Sequence, residues 1–304
     1  MFHILHLIPL TCVRDLPLKG KAKITLQKSK EERKLTMDLY LIYVGQLLGL
    51  TLGVMVVCGL VAWMARKIFM YFVGDKATFV LYASSVVGTP VHELGHALMC
   101  IPFAHRITDM KLLLPPSRRS RTLGYVEHSY NRKNPWAVFG DLFISFGPIF
   151  SGIGVMVLVL TLCFPAQWNA YLESSRTMVE NGADVQQITA SSLSLLTSLF
   201  EGLKNTDVVR SVVGLLIILS VSQHITLSLA DLKGCFKALL MYTCIVAVFA
   251  GVTMLLGLQN GIVSGLMQIN LPLLSIFCVS IAFSLVWVII ALLVYLLRWL
   301  KVLF

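Results

Sequence analysis

The sequence predicts an all-α polytopic membrane protein with about six transmembrane helices, in which the loop 103–136 could form a small β-hairpin. Hydrophobic residues make up 57% of the 304 residues and charged residues only 13%, too few to cover the surface of a soluble domain this long. Runs of about 20 apolar residues, the length that crosses a bilayer as a helix, recur along the chain. The predicted spans are 40–64, 79–102, 137–163, 211–230, 238–257 and 272–297.

The basic residues predict how these spans are oriented. Segment 1–38 contains eight Lys and Arg residues and segment 103–136 contains seven, and such segments favour the cytoplasmic side of a membrane. Segment 164–210 has only three and is polar enough to hold a short amphipathic helix on the other side. Both termini and the loop 103–136 are therefore expected in the cytoplasm. Three basic residues do not fit this pattern, because they would lie outside: Arg66, Lys67 and Lys76.

Composition also limits the partners of the chain. The net charge is +10, but the basic residues cluster in short loops between spans, which favours anionic lipid of the bilayer over nucleic acid as their partner. The seven cysteines are scattered without a CxxC pair, and most lie in apolar runs, so they predict neither a disulfide framework nor a zinc knuckle. The domain organisation is a basic segment, 1–38, followed by a single membrane domain, 39–304. The sequence identifies neither the membrane nor a regulatory membrane partner.

One polar motif, TPVHELGHALMC at 89–100, interrupts the second predicted span. In a helix, His92 and His96 lie one turn apart on the same face and can bind one zinc ion, while Glu93 is placed to act as a general base on a water molecule. A pair of histidines that only bridge two helices would be the structural alternative. Glu93 is the only acidic residue deep in any predicted span, and a carboxylate in hydrocarbon is costly, which favours a functional role.

A catalytic zinc usually needs a third protein ligand. Asp231, at the cytoplasmic end of the fourth predicted span, lies at a compatible depth and is the preferred candidate, although it could instead be an interfacial acid paired with lysine. Asp141 is the alternative, and Glu127 and His128 are weaker ones. His224 precedes Asp231 by seven residues on the same helix face, so it could support a ligand or contact the substrate.

These residues carry a resemblance to a known family. VHELGHAL at 91–98 resembles the active-site helix of the site-2 protease family, the intramembrane zinc metalloproteases. FISFGPIFSGIGVMV at 143–157 is similar to the Gly-Pro segment of a later core span. LADLKG at 229–234 more loosely resembles the segment in which an aspartate completes the zinc site. The chain resembles a divergent member of this family over 79–234, which would be the metalloprotease core.

The resemblance implies a zinc-dependent endopeptidase that cleaves a membrane-anchored protein in or near its transmembrane helix. Gly147, Pro148, Gly152 and Gly154 could then admit an unwound substrate, or could simply pack helices closely. The strand-like parts of the loop 103–136 could pair with that substrate or face lipid. The alternative class is a non-proteolytic metal-binding membrane protein, either a transporter or an inactive scaffold. The absence of charged residues from the last two spans argues against a transporter.

Overall fold

The computed structural model describes residues 18–74, 78–115, 123–182, 185–205 and 207–300, which are mostly helical. Predictions that concern residues 1–17 and the turn at 116–122 lie outside this part of the chain. The helices are α1 (Leu18–Leu48), α2 (Val54–Val73), α3 (Thr78–Ser85), α4 (Gly88–Cys100), α5 (Pro135–Cys163), α6 (Pro165–Glu180), α7 (Val185–Asn205), α8 (Val208–Ser222), α9 (Leu229–Gly234), α10 (Phe236–Leu255) and α11 (Gln259–Trp299).

Four helical stretches within the described residues are long and apolar enough to cross a membrane, which fits an all-α membrane protein. In the first of them, α1 continues into α2 through a π-helical turn, Gly49–Gly53. The four stretches are Lys30–Val73, Pro135–Cys163, Phe236–Leu255 and Gln259–Trp299.

The predicted span 79–102 is not one helix but two, α3 and α4, each too short to cross a bilayer alone. Pro90 explains the break, because proline has no N–H with which to continue the hydrogen bonding of the preceding turn. The backbone N–H groups at the break are satisfied from another helix. Val87 N and Gly88 N donate to Ser220 Oγ over 3.3 and 3.1 Å.

The predicted span 211–230 is also interrupted. The helix α8 ends at Ser222, and the chain is non-helical until α9 begins at Leu229. Backbone polar groups in such a segment need partners when water is absent, and Leu227 N donates to Gly59 O over 3.2 Å. A Cβ on Gly59 would lie 2.9 Å from Leu227 Cβ, so glycine allows this segment to lie against α2.

Two short strands follow α4 within the loop 103–136. The strands β1 (Arg106–Lys111) and β2 (Tyr125–Ser129) pair in antiparallel fashion, with Arg106 opposite Ser129 and Lys111 opposite Tyr125. The pairing is irregular between Ile107 and Asp109. Both strands lie in the two segments that the sequence marks as strand-like.

The described residues of segment 164–210 contain two helices, α6 and α7, and the first residues of α8. Buried hydrogen bonds attach both of them to α11. Tyr171 OH donates to Ser275 Oγ over 2.5 Å, and Ser192 Oγ lies 2.8 Å from the same oxygen. The helices α6 and α7 are therefore packed against the rest of the helical domain.

The C-terminal ends of α2 and α11 lie side by side. Arg298 Nη1 donates to Val73 O over 3.1 Å, and the rings of Phe72 and Tyr295 are 5.7 Å apart. The predicted topology assigns the chain after the first span to the outside and the C-terminal tail to the cytoplasm. That topology separates the two helix ends across the membrane, whereas this contact brings them together.

The helix α5 forms the centre of the main hydrophobic core. Its fully buried side chains include Phe146, Ile149, Met156 and Leu160. The helices α4, α8 and α10 all pack against α5. Because α4 contains the histidine motif and α9 follows α8, this packing brings the two parts of the predicted site to one region of the fold.

Candidate metal and catalytic site

His92 and His96 lie one turn apart on α4, and their ring centroids are 5.1 Å apart. The position of α4 depends on a close crossing with α5. A Cβ on Gly95 would overlap the carbonyl of Gly147, and a Cβ on Gly147 would overlap that of Gly95. Ser151 Oγ also donates to Val91 O over 2.8 Å. The two backbones therefore approach as closely as the absence of side chains permits.

This crossing and the break after α8 orient both imidazoles. His92 Nδ1 lies 2.8 Å from His224 O, and His96 Nδ1 lies 2.8 Å from Ile144 O. A carbonyl oxygen only accepts hydrogen bonds, so each Nδ1 carries the hydrogen and each neutral ring keeps a lone pair on Nε2. A carbonyl behind the ring that fixes this tautomer is a common support for a zinc-binding histidine.

Glu93 is only 9% exposed, and it lines a cavity together with His92 and His96. Its carboxylate makes no hydrogen bond to any described residue, so its oxygens are available to accept a proton. The chain just before β2 covers it closely, because a Cβ on Gly124 would lie 2.8 Å from Glu93 Cγ and from Thr89 Cγ2. The loop 103–136 therefore reaches the motif directly.

A cavity of about 920 Å³ joins the predicted site residues. It is large enough for several residues of an extended peptide, because binding clefts typically measure a few hundred to a thousand Å³. Its wall combines the histidine motif with polar groups from α2, β2, α5 and α9. The polar side chains that matter here are Arg66, His92, Glu93, His96, His128, Asp141 and Asp231.

Asp231 lies in the first turn of α9, where it forms a capping box with Ser228. Its Oδ2 accepts from Ser228 N over 3.0 Å and from Ser228 Oγ over 2.6 Å, while Asp231 N donates to Ser228 Oγ. Ser145 Oγ of α5 donates to Asp231 O over 3.0 Å. The other carboxylate oxygen, Oδ1, has no hydrogen bond within the described part of the chain, and this residue lines the cavity.

Asp141 also lines the cavity, but both of its oxygens face groups from the loop 103–136. Its Oδ2 accepts from Tyr130 OH over 2.5 Å, and its Oδ1 lies 4.0 Å from His105 Nε2. Burial and this hydrogen bond raise the pKa of Tyr130 to about 12. Asp141, which lies on α5, thus binds the residue that follows β2. Glu127, a weaker candidate, is exposed on β2.

His128 extends the same contacts. Its Nδ1 lies 2.9 Å from His105 Nδ1, and the ring lines the cavity. Burial, followed by the neighbouring His105, lowers the pKa of His128 below its ordinary value. No sequence pattern indicated the buried His105, because it is a lone histidine without a motif in the turn between α4 and β1.

His224 supports the site from behind. Its carbonyl accepts from His92, and its ring nitrogen Nδ1 lies 3.0 Å from Arg66 Nη1, which can only donate. The ring of His224 is therefore a neutral acceptor held by α2. Sequence reasoning missed Arg66, which the predicted topology placed outside. A cation inside the apolar stretch Lys30–Val73 was the signal that could have indicated it.

The fit to a metal is partial. Among the described residues, no three His, Cys, Asp or Glu side chains already lie close enough together to hold a metal ion. The two imidazoles present the nitrogens that zinc prefers, and Asp231, which lines the same cavity, has a carboxylate oxygen that zinc can also bind. The two imidazoles and the carboxylate of Asp231 are therefore groups that zinc binds.

Comparisons with known proteins add no assignment. Neither the known family models, nor the curated proteins, nor the solved structures gave a match to this chain.

Proposed function

We propose that the protein is a zinc-dependent intramembrane endopeptidase of the site-2 protease type, which cleaves membrane-anchored proteins in or near a transmembrane helix. The observation that carries this proposal is the pair of hydrogen bonds from His92 Nδ1 and His96 Nδ1 to backbone carbonyls. A histidine pair that only bridged helices would not need both rings in the same tautomer with both Nε2 atoms free. Glu93 beside this pair supplies the group that hydrolysis requires.

In this proposal, His92, His96 and Asp231 hold the ion. Zinc bound there would act as a Lewis acid on the scissile carbonyl and make the attacking water more acidic. Glu93 accepts a proton from the water while the water oxygen bonds to the carbonyl carbon. Glu93 then delivers that proton to the leaving nitrogen. The low exposure of Glu93 keeps bulk water from competing for its carboxylate.

Asp231 is preferred to Asp141 as the third ligand because of what each carboxylate already does. Asp141 is occupied by Tyr130 and lies near His105. Asp231 uses only Oδ2 in its capping box and keeps Oδ1 for another partner. The capping box also fixes the rotamer of the side chain, which reduces the entropy lost when a metal binds.

The substrate would be an unwound segment of a membrane-anchored protein. Helical carbonyls are hydrogen-bonded and shielded, so the scissile bond must leave the helix before water can attack. The cavity has room for such a segment, and β2 lies in its wall, where its backbone could pair with an extended peptide. We further propose that the loop 103–136 faces the cytoplasm, because of its seven basic residues.

The test combines metal analysis with a search for cleaved proteins. Purified protein should contain about one zinc per chain, and Glu93→Gln should keep the zinc but lose hydrolysis, because the residue is a base and not a ligand. Cells that express Glu93→Gln should accumulate uncleaved membrane proteins relative to the wild type. Glu127→Gln, which removes an exposed carboxylate from β2, is the matched control and should behave as wild type.

Two results would contradict the proposal. Normal cleavage by Glu93→Gln would exclude the mechanism. Stoichiometric zinc without any difference in membrane-protein fragments between wild type and Glu93→Gln would favour the non-proteolytic metal-binding alternative.

A further inference from the structure

Arg66 is a cation in the cavity wall that has no part in the mechanism proposed above. It lies on α2, inside the apolar stretch Lys30–Val73, and is half-buried. A guanidinium taken from water into a wall of low dielectric constant is costly unless an anion compensates its charge. A charged residue inside a membrane-spanning helix therefore calls for a partner.

The permanent contacts of Arg66 are neutral groups. Its Nη1 donates to His224 Nδ1 over 3.0 Å and lies 3.4 Å from Gln223 O. No carboxylate of a described residue comes within 4.0 Å of the guanidinium, although Glu93 interacts electrostatically with it from farther away. Its Nε and Nη2 donate to none of the described groups. Arg66 is thus oriented by dipoles while several N–H groups stay available, in the wall of the cavity that also contains Glu93.

Arg66 also shares a support with the histidine motif. The ring of His224 accepts from Arg66, and the carbonyl of His224 accepts from His92. Residue 224 therefore sets the guanidinium and the first imidazole relative to one another. A guanidinium with available N–H donors beside the proposed hydrolytic site could stabilise an oxygen anion that forms only during the reaction.

We propose that Arg66 stabilises the anionic oxygen of the tetrahedral intermediate; this inference rests on the proposed function. In the step concerned, the water oxygen bonds to the carbonyl carbon, one water proton passes to Glu93, and the carbonyl π electrons become a lone pair on the former carbonyl oxygen. Arg66 donates to that oxygen. When the C–N bond breaks, the lone pair re-forms the carbonyl and the nitrogen takes the proton from Glu93.

The kinetic test uses Arg66→Gln, Arg66→Lys and the control Lys67→Gln, with a purified membrane substrate in detergent. Loss of one donor to a developing oxyanion typically lowers kcat about 100- to 1000-fold, so Arg66→Gln should show that loss with little change in KM. Arg66→Lys should be intermediate. Lys67→Gln removes a like charge from the next residue of α2 and should retain nearly full activity.

Zinc affinity separates this role from a structural one. Removing a cation near the cavity should leave zinc affinity unchanged or tighter, whereas collapse of the His224 support would weaken it. Guanidinium ion added to Arg66→Ala should restore part of the rate, and methylammonium at the same concentration should not. The rescue experiment tests the role of Arg66 even if Arg66→Gln folds poorly, because it measures the rate of a different variant, Arg66→Ala.

Four outcomes would overturn the inference. An unchanged kcat excludes the role, and a raised KM with normal kcat assigns Arg66 to a carboxylate of the bound substrate. Loss of zinc from Arg66→Gln without guanidinium rescue reduces Arg66 to a support of His224. A wild-type protein without zinc-dependent cleavage instead refutes the proposed function, and with it this inference.

Discussion

His105 and His128 meet through their Nδ1 atoms, which are 2.9 Å apart. His105 Nε2 lies 2.9 Å from Ala137 O, which can only accept, so the His105 ring donates there and receives a hydrogen bond at Nδ1 when it is neutral. His128 must then be the donor. This chain of hydrogen bonds joins β2 to α5.

Acid should destabilise the protein through the titration of His128. Its folded-state pKa is lowered below 6.5, so the unfolded chain binds more protons at mildly acidic pH, and stability falls as the pH drops below about 6.5. The loss levels off below the folded-state pKa. His128→Asn keeps an N–H donor for His105 but does not titrate, so its melting temperature in detergent should fall less steeply between pH 7 and 5.

The other groups near His128 set the limits of this comparison. His105 and Asp141 lie beside His128. The variant leaves all titratable groups other than His128 in place, so the slope should become shallower without vanishing. Equal slopes for wild type and His128→Asn would show that another group is responsible.

The crossing of Gly95 with Gly147 should tolerate no side chain. Gly95→Ala would force α4 away from α5, and such overpacking typically costs about 1–3 kcal/mol in the free energy of unfolding. The same movement lengthens the hydrogen bond from His96 to Ile144 and should weaken zinc binding at least tenfold. Melting temperature and zinc titration measure the two effects.

Gly154→Ala is the matched control for this prediction. Gly154 lies on α5, as Gly147 does, but a Cβ at Gly154 would meet no atom within 4 Å. Alanine favours a helix more than glycine does, so this variant should be as stable as the wild type or slightly more stable. If both variants keep zinc and stability, the close crossing does not position the site.

Removing the carboxylate of Asp231 should remove the metal. Asp231→Ala should lower zinc affinity by at least 100-fold and abolish cleavage, as expected for loss of one of three ligands. Ser228→Ala removes the hydroxyl partner of Asp231 but keeps its carboxylate, so it should cost about 1 kcal/mol of stability and retain zinc.

Asp141→Ala distinguishes the two candidate ligands. It should loosen the contact with Tyr130 and lower the melting temperature while zinc stays bound. Retention of zinc by Asp231→Ala together with its loss from Asp141→Ala would assign the third ligand to α5.

The contact of Arg298 with Val73 makes a prediction about topology. Tyr71 and Trp299 are both exposed near the adjoining ends of α2 and α11. Single cysteines at these positions in a cysteine-free protein should react with an impermeant maleimide from the same side of sealed vesicles. Labelling from opposite sides would restore the topology expected from the basic residues.

The sequence predicted those parts of the fold that depend on patterns of neighbouring residues. Apolar runs marked the long helices, and the spacing of His92 and His96 placed both rings on one face of a helix. The strand-like stretches in the loop 103–136 correspond to β1 and β2. Each of these signals depends on residues within a few positions of each other, so no knowledge of tertiary contacts was required.

The parts that the sequence missed depend on contacts between distant segments. An apolar run does not reveal that the chain leaves its helix at Ser222, because the partner that satisfies Leu227 is the carbonyl of Gly59. Pro90 is a residue that interrupts helices, but the apolar residues on both sides of it form one continuous run that is long enough to predict a single span. Arg66 was missed because the first span was ended at residue 64, whereas the helix continues to Val73.

The carbonyl that fixes the tautomer of His92 belongs to a residue 132 positions later in the chain. On a ribosome, α4 therefore leaves the exit tunnel and reaches the membrane well before its partner has been made. During that interval nothing from His224 selects the nitrogen that carries the hydrogen, and the motif lacks both its support and Asp231. Under the proposed function, a half-synthesised chain would hold zinc weakly, so the metal site would mature late in biogenesis and unassembled copies would lack an active centre.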